Sequence, residues 1–362
     1  MNTAVLIMAG GTGGHVFPAL AVAELLRERE CRVVWVGTRR GLEARIVPAK
    51  GFAIEWLSVS GLRGKGLITW ILAPVQLAIA LSQAFMIVWR QKPTVVLGVG
   101  GFATGPGGLA AWLLRRPLVI HEQNAIAGLT NRWLARLARL VLEGFPNSFP
   151  PGIATRCIGN PVRREITGLA APESRFAVRG GPVRLLVVGG SLGAQRLNTS
   201  VPRALALLQR QGHRFDVWHQ AGARGIDAAR AEYSLAGVTG RLDAFIDDMA
   251  AAYGWADLVI CRAGALTVAE LAAAGVGAIL VPFPFAVDDH QTHNAQFLTS
   301  VGAAVLITDR DFEPARVAAA LTELAGDRLQ LLEMARRART RAMPHAAESL
   351  TRAVLDVAGH SA

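Results

Sequence analysis

The stretch Ala4-Val5-Leu6-Ile7-Met8-Ala9-Gly10-Gly11-Thr12-Gly13-Gly14-His15 decides the fold. A short apolar run ends abruptly in glycines, and the amphipathic pattern Val16–Arg29 follows at once. A buried strand, a tight turn and a helix in that order open a βαβ unit, whose strand belongs to a parallel sheet. The glycines let the backbone approach a ligand closely. The helix behind them turns its N–H groups and its dipole toward an anion or a sugar hydroxyl.

The same alternation continues outward. Val33–Val36, Val95–Leu97 and Leu118–Ile120 read as strands with helices between them. After a proline-rich stretch from Pro146 to Pro161 it restarts, with strands at Arg184–Val188, Phe215–Trp218, Leu258–Cys261 and Ala278–Val281. The expected fold class is therefore α/β, two Rossmann-like domains with parallel sheets facing across a cleft, each large enough in a chain of 362 residues to bury its own core. The break is placed at Gly159-Asn160-Pro161, because proline fixes its own φ and restricts the residue before it. Further glycine loops, Gly98–Ala103 and Gly189–Ala194, also follow strands. Open α/β sheets bind ligands at strand C-termini, so three such loops divided between two domains mark a site more firmly than one.

Composition narrows the field. Hydrophobic residues make up 52% and charged residues 18%, which excludes a disordered chain. Lys and Arg outnumber Asp and Glu by 38 to 27, so phosphorylated substrates, nucleic acid or an acidic bilayer would all be attracted. Cys31, Cys157 and Cys261 fit neither a disulfide framework nor a zinc site and point to a reducing cytoplasm. No export signal is visible.

Leu67–Trp89 holds 23 uncharged residues between Arg63, Lys65 and Arg90, Lys92, enough to span a bilayer by length. A span would, however, part the strand Val95–Leu97 from the strands it must pair with. Thr69, Gln76, Gln83 and Arg90 fall on one narrow stripe, and the rest of the helix is apolar. A crossover helix buries one face only. The expected cover for the remainder is an anionic membrane on which the protein lies, the alternative being its own domain or a partner subunit.

Polar residues cluster at the strand ends. His15 has the side chain for proton abstraction near neutral pH; the alternative is a packed or capping role. His121-Glu122-Gln123-Asn124 offers donors and acceptors to a sugar, with Glu122 as reserve candidate for the base. Arg262–Glu270 offers helix N–H groups to a phosphate and Glu270 to ribose hydroxyls, or else Glu270 is an ordinary first-turn carboxylate. Asp288, Asp289, His290, Gln291, His293 and Asn294 invite a metal reading that lacks a second cluster, and no metal or cofactor is expected. Asp309-Arg310-Asp311 is the only Asp-x-Asp, and Asp311 is read as an N-cap.

Taken together, Gly10–Ala21, Gly100–Gly108, His121–Asn131, Gly159–Arg163, Gly189–Ala194, Cys261–Glu270 and Asp289–Ala295 closely resemble the MurG family, the peptidoglycan N-acetylglucosaminyltransferases. The match runs in order along essentially the whole chain. It implies a GT-B type fold, an inverting mechanism without an essential metal, and a C-terminal helix, about 343–362, packing back on an N-terminal acceptor and membrane domain of 1–159. Residues 160–342 would bind the UDP-sugar. The implied donor is UDP-N-acetylglucosamine and the acceptor lipid I, undecaprenyl-pyrophosphoryl-N-acetylmuramoyl-pentapeptide, giving lipid II. The implied place is the cytoplasmic face of the inner membrane, with other cell-wall synthesis proteins as further partners and no nucleic acid.

Carried over by motif, donor contacts fall on Thr12, Gly13, Gly14, Asn124, Arg163, Ser191, Ile246, Ala265, Leu266, Thr267, Val268, Ala269, Glu270 and Gln291. Gly277 departs from the family, which usually has proline there, and is expected to add local freedom after a helix. Two rivals stand beside this reading. An NADP-dependent oxidoreductase would use Gly98-x-Gly100-x-x-Ala103 and Thr38-Arg39-Arg40, but those pieces lie in the wrong order for one βαβ unit. A membrane-peripheral nucleotide-sugar-binding subunit would share the donor motifs without a base.

Overall fold

A computed structural model describes residues 3–58, 67–190 and 193–359. The chain divides into two compact units, Met1–Val162 with Pro344–Ala362, and Arg163–Met343. The change of unit lies three residues beyond Gly159, for a local reason. The Gly159 carbonyl lies 2.9 Å from His121 Nε2, and Asn160 Nδ2 donates to Gln123 O at 3.0 Å, which ties this segment to the first unit.

The first unit carries seven parallel strands: β1 (Ala4–Ala9), β2 (Arg32–Gly37), β3 (Ala53–Trp56), β4 (Val95–Gly100), β5 (Leu118–Glu122), β6 (Leu140–Glu143) and β7 (Arg156–Cys157). Their order in the sheet is β3-β2-β1-β4-β5-β6-β7. Its helices are α1 (Gly13–Glu28), α2 (Glu43–Ala49), α3 (Leu67–Gln91), α4 (Thr104–Leu113) and α5 (Leu129–Leu134). Every residue of β1 is buried, and alternate side chains serve opposite faces as the period of two requires. Val5, Ile7 and Ala9 pack with Val16 and Leu20 of α1, whereas Leu6 and Met8 pack with Ala84, Ile87 and Val88 of α3.

The second unit repeats the plan with β8 (Val183–Val188), β9 (Phe215–Gln220), β10 (Arg241–Asp243), β11 (Leu258–Cys261), β12 (Gly277–Leu280) and β13 (Ala304–Leu306), in the order β10-β9-β8-β11-β12-β13. Its helices are α6 (Arg164–Thr167), α7 (Pro172–Ala177), α8 (Gln195–Arg210), α9 (Ile226–Ala236), α10 (Met249–Trp255), α11 (Ala265–Ala274), α12 (His290–Thr299), α13 (Pro314–Ala325) and α14 (Arg328–Thr340). The last helix, α15 (Ala346–Val357), returns to the first unit, where Leu350 and Val354 join the core beside α1. Gly277 has a firmer reason than local freedom. It opens β12, and a Cβ there would stand 2.9 Å from Met334 Cβ, so the glycine admits α14 against the strand.

Helix α3 crosses over between β3 and β4, which both belong to the one sheet. Only 22% of Ala73–Gln91 is buried. Ala80, Ala84, Ile87 and Val88 face the sheet, and their small or branched side chains allow close packing. Two residues of the expected polar stripe bond the protein. Gln83 bonds Ser58, and Arg90 reaches Glu55 at 2.5 Å, whereas Thr69 lies outside the described side chains. Val75, Leu77, Ile79, Phe85, Met86 and Trp89 are left exposed. Helix α4 packs on α3 and α5 on α4. Trp112 and Leu113 of α4, and Leu129 and Trp133 of α5, are exposed too.

Candidate active site

In the first unit, β1 and β4 are neighbours in space but not in sequence, so the order of strands reverses between them. Such switch points are where open α/β sheets hold ligands. Both glycine loops of this unit lie there. Gly10 N donates to Gly100 O at 3.3 Å. A Cβ on Gly101, at φ +88°, would stand 2.3 Å from Gly10 O, and one on Gly100 would strike the His15 imidazole at 2.7 Å. Only glycine fits such an approach.

Beneath the first loop lies buried Glu43, which the sequence did not single out. Its Oε2 accepts from Gly11 N at 2.9 Å, and its Oε1 from Thr38 N at 2.8 Å and Thr38 Oγ1 at 2.9 Å. Thr12 is the N-cap of α1, followed by Gly13, Gly14 and half-buried His15. No side chain caps this helix and its first turn holds no acidic residue, which suits an anion at its N-terminus.

His15 is tied into a chain of polar groups. Its Nδ1 lies 2.7 Å from Gln123 Oε1, and Gln123 Nε2 lies 2.8 Å from both His121 Nδ1 and His121 O. His121 Nε2 ends the chain on Gly159 O. Burial pushes the His121 pKa down to about 4, against the opposing pull of the Gly159 carbonyl and Glu122.

Glu122, the reserve candidate for the base, is engaged within its own loop. Its carboxylate is buried and accepts four bonds, from Asn124 N and Nδ2 on Oε1, and from Gly128 N and Asn131 Nδ2 on Oε2. With two donors on each oxygen, Glu122 holds the loop after β5 in place. Asn124 stays at that loop with its amide turned toward Glu122.

The second unit reverses its strand order between β8 and β11. The Gly189–Ala194 loop follows β8, although Ser191 lies outside the described residues. A Cβ on Gly193 would meet Ala221 O at 2.4 Å. Behind β11, Gly264 is the N-cap of α11, again with no capping side chain and no acidic residue in the first turn. Ala265 and Val268 are buried, so their side chains serve the core, while Leu266, Thr267 and Ala269 are partly open. Buried Asn294 steadies this loop by donating to Ala263 O at 3.1 Å.

The structure brings Arg163 and Glu270 together. Arg163 Nη2 lies 3.3 Å from Glu270 Oε1, and the Tyr253 hydroxyl donates to Oε2 at 3.1 Å. Burial raises the Glu270 pKa, while Arg163 and Tyr253 pull it back. Each oxygen holds one protein donor and keeps acceptor capacity for hydroxyls. The Ile246 amide donates to Gln220 Oε1 at 3.1 Å, and neighbouring Phe245 is exposed. Gln291 Oε1 accepts from Phe283 N at 2.9 Å.

The acidic pairs are engaged within the fold. Asp309 meets Arg262 at 2.6 Å, and Thr308 Oγ1 donates to Asp311 at 2.7 Å. Asp311 is not the N-cap expected of it. Helix α13 starts at Pro314 with Glu313 in that position. Among the described residues no group of three or more His, Cys, Asp or Glu is placed to hold a metal.

Against known proteins, residues 5–143 match the glycosyltransferase family 28 N-terminal domain and residues 184–350 the family 28 C-terminal domain. A protein of Nitrosococcus oceani, named UDP-N-acetylglucosamine--N-acetylmuramyl-(pentapeptide) pyrophosphoryl-undecaprenol N-acetylglucosamine transferase, is 56% identical over 358 residues, 99% of each chain. The crystal structure of Acinetobacter baumannii MurG is 40% identical with a TM-score of 0.84, covering 98% of this chain and 99% of that one. The chain belongs to the MurG family. The two-unit plan reaches beyond MurG: the calicheamicin glycosyltransferase CalG4 shares the fold at a TM-score of 0.65 and 19% identity, over 98% and 99% of the two chains. MurG membership settles the fold as GT-B and the activity class as hexosyl transfer, and it leaves the two rival classes without support.

Proposed function

We propose that this protein transfers N-acetylglucosamine from UDP-N-acetylglucosamine to the 4-hydroxyl of the N-acetylmuramoyl unit of lipid I, forming lipid II. Family membership supplies the substrates. The observation that carries the chemistry is His15, an imidazole fixed at the β1/β4 switch point between two glycine loops. The first unit receives the acceptor, and the second supplies most of the donor contacts.

The acceptor oxygen attacks the anomeric carbon while its proton passes to His15 Nε2. The bond from that carbon to the diphosphate oxygen breaks, its electron pair leaves with UDP, and the configuration inverts. The N-terminus of α11 and the Arg163 guanidinium meet the charge growing on the diphosphate. Glu270 accepts the ribose hydroxyls.

General-base catalysis of this kind is typically worth about 10²–10⁴-fold, so His15→Ala should lose turnover by that factor and still bind UDP-N-acetylglucosamine. The check is radiolabel transfer to a lipid I analogue, with donor binding followed by calorimetry. Near-normal turnover in a folded His15→Ala protein would overturn the assignment.

The lipid tail of the acceptor stays in the bilayer, and the protein lies on the cytoplasmic face of the inner membrane. The exposed apolar side chains of α3, α4 and α5 support this, with Lys92, Arg115, Arg136 and Arg139 exposed on the same elements or just beyond them. Apolar burial with basic residues beside it is the pattern of an interfacial helix on an anionic surface.

A further inference from the structure

We infer that Gln123 is a positioning residue for the transfer: its amide locks His15 in the tautomer with the lone pair on Nε2, and His121 sets the direction of that amide. The inference rests on the reading of His15 as the base.

The lock follows from groups that can only accept. The Gly159 main-chain carbonyl accepts, so His121 Nε2 carries the ring proton at 2.9 Å. A neutral imidazole has one such proton, which leaves His121 Nδ1 as an acceptor. Gln123 Nε2 therefore donates to it at 2.8 Å, and its second hydrogen goes to the His121 carbonyl, another acceptor-only group, at 2.8 Å. Both amide hydrogens are then committed. The remaining amide atom, Oε1, faces His15 Nδ1 at 2.7 Å and accepts, so His15 carries its proton on Nδ1. The hydrogen bond made by one ring nitrogen decides the state of the other, and Nε2 is left bare to take a proton.

The arrangement holds while His121 stays neutral. A protonated His121 would drive an N–H against the amide N–H. His121 is fully buried, and the titratable groups facing it are Glu122 on the same strand and His15 itself. Asn160 Nδ2 holds the Gln123 carbonyl at 3.0 Å and so fixes the backbone from which the amide projects. A carboxylate in place of Gln123 could not donate to His121, and a shorter amide would not span the two imidazoles. The need for one donor and one acceptor at this reach accounts for glutamine.

Nitrogen NMR of the full-length protein with ¹⁵N-labelled histidine reads the tautomer directly and needs no variant. The expected result is His15 protonated on Nδ1 and His121 on Nε2 at neutral pH. His15 protonated on Nε2 would overturn the lock. Gln123→Met keeps length and apolar bulk but accepts no such bond. It should lower kcat about tenfold or more, by analogy with other losses of general-base efficiency, with the KM for UDP-N-acetylglucosamine unchanged and the His15 signals moved toward the Nε2–H form. Unchanged kcat in Gln123→Met would refute the positioning role even where His15→Ala is inactive. Normal turnover in His15→Ala would instead remove the base reading and the catalytic role of Gln123 with it.

Discussion

His219 sits fully buried in the second unit between Tyr233 and Asn198, with Nδ1 3.1 Å from the phenol oxygen and Nε2 3.0 Å from Asn198 Oδ1. Asn198 Nδ2 in turn donates to Ala221 O, the carbonyl that Gly193 approaches. Burial pushes the His219 pKa down to about 3, below the unfolded value near 6.5. A depressed folded pKa contributes stability above the unfolded value that is lost as pH falls through the folded one. His121 has the same sign. Urea midpoints should therefore fall between pH 7 and pH 4.5, and a His219→Gln variant should show a shallower slope over that window; an identical slope would place the acid sensitivity elsewhere. At this scale the strand-to-helix turns at the glycine loops, and the place of His15 behind the first of them, were legible in the sequence, since an apolar run that ends in glycines before an amphipathic pattern marks such a turn. Glu43 was not, because it lies in a helix remote from the loop and carries no motif. Glu122 was legible as a polar residue at a strand end, but its bonds were not. Only the fold brings Gly128 and Asn131 onto its second oxygen.

Helix α3 shows why a hydropathy scan misreads single elements. Its length suits a membrane, yet Ala80, Ala84, Ile87 and Val88 are buried on the sheet, and Gln83 and Arg90 are bonded to Ser58 and Glu55. What remains outward is apolar. Placing charges there, as in the double variant Leu77→Glu, Met86→Glu, should weaken sedimentation with anionic vesicles at least about tenfold, given that each buried apolar side chain contributes about 1.5–3 kcal/mol. Activity on a short-chain soluble acceptor should change little. Equal losses in both assays would count against the membrane reading. The apolar strands β1, β4, β5, β8 and β11 were legible because they are buried almost throughout and read as continuous runs. The strands β3, β7, β10 and β13 were not, being two to four residues long and partly polar or exposed, with their pairing supplied by neighbours. Four-residue β6 also went unread, since Leu140–Glu143 follows an apolar helix without a glycine to mark the change.

The whole molecule repeats one solution twice, a parallel sheet whose switch point carries glycine loops, and that repetition was visible in the alternation of strands and helices. The passage of the chain between units was less so, because periodicity says nothing about which core the final amphipathic helix joins. Leu350 and Val354 in α15 are fully buried against the α1 side of the first sheet. Leu350→Ala should cost about 2–5 kcal/mol, measured as a lowered thermal or urea midpoint of the first unit, followed by hydrogen exchange in β1 and α1. Protection lost in the second unit instead would show that α15 belongs elsewhere.

Because residues 163–343 are interposed between two parts of one core, synthesis on the ribosome delivers the second unit before the first can finish. Until α15 emerges, Val16, Leu20 and their neighbours on α1 lack part of their apolar cover. A nascent chain stalled or cleaved ahead of Pro344 would expose a sticky surface of the kind chaperones and proteases select. Completion of the chain thus doubles as its own quality check.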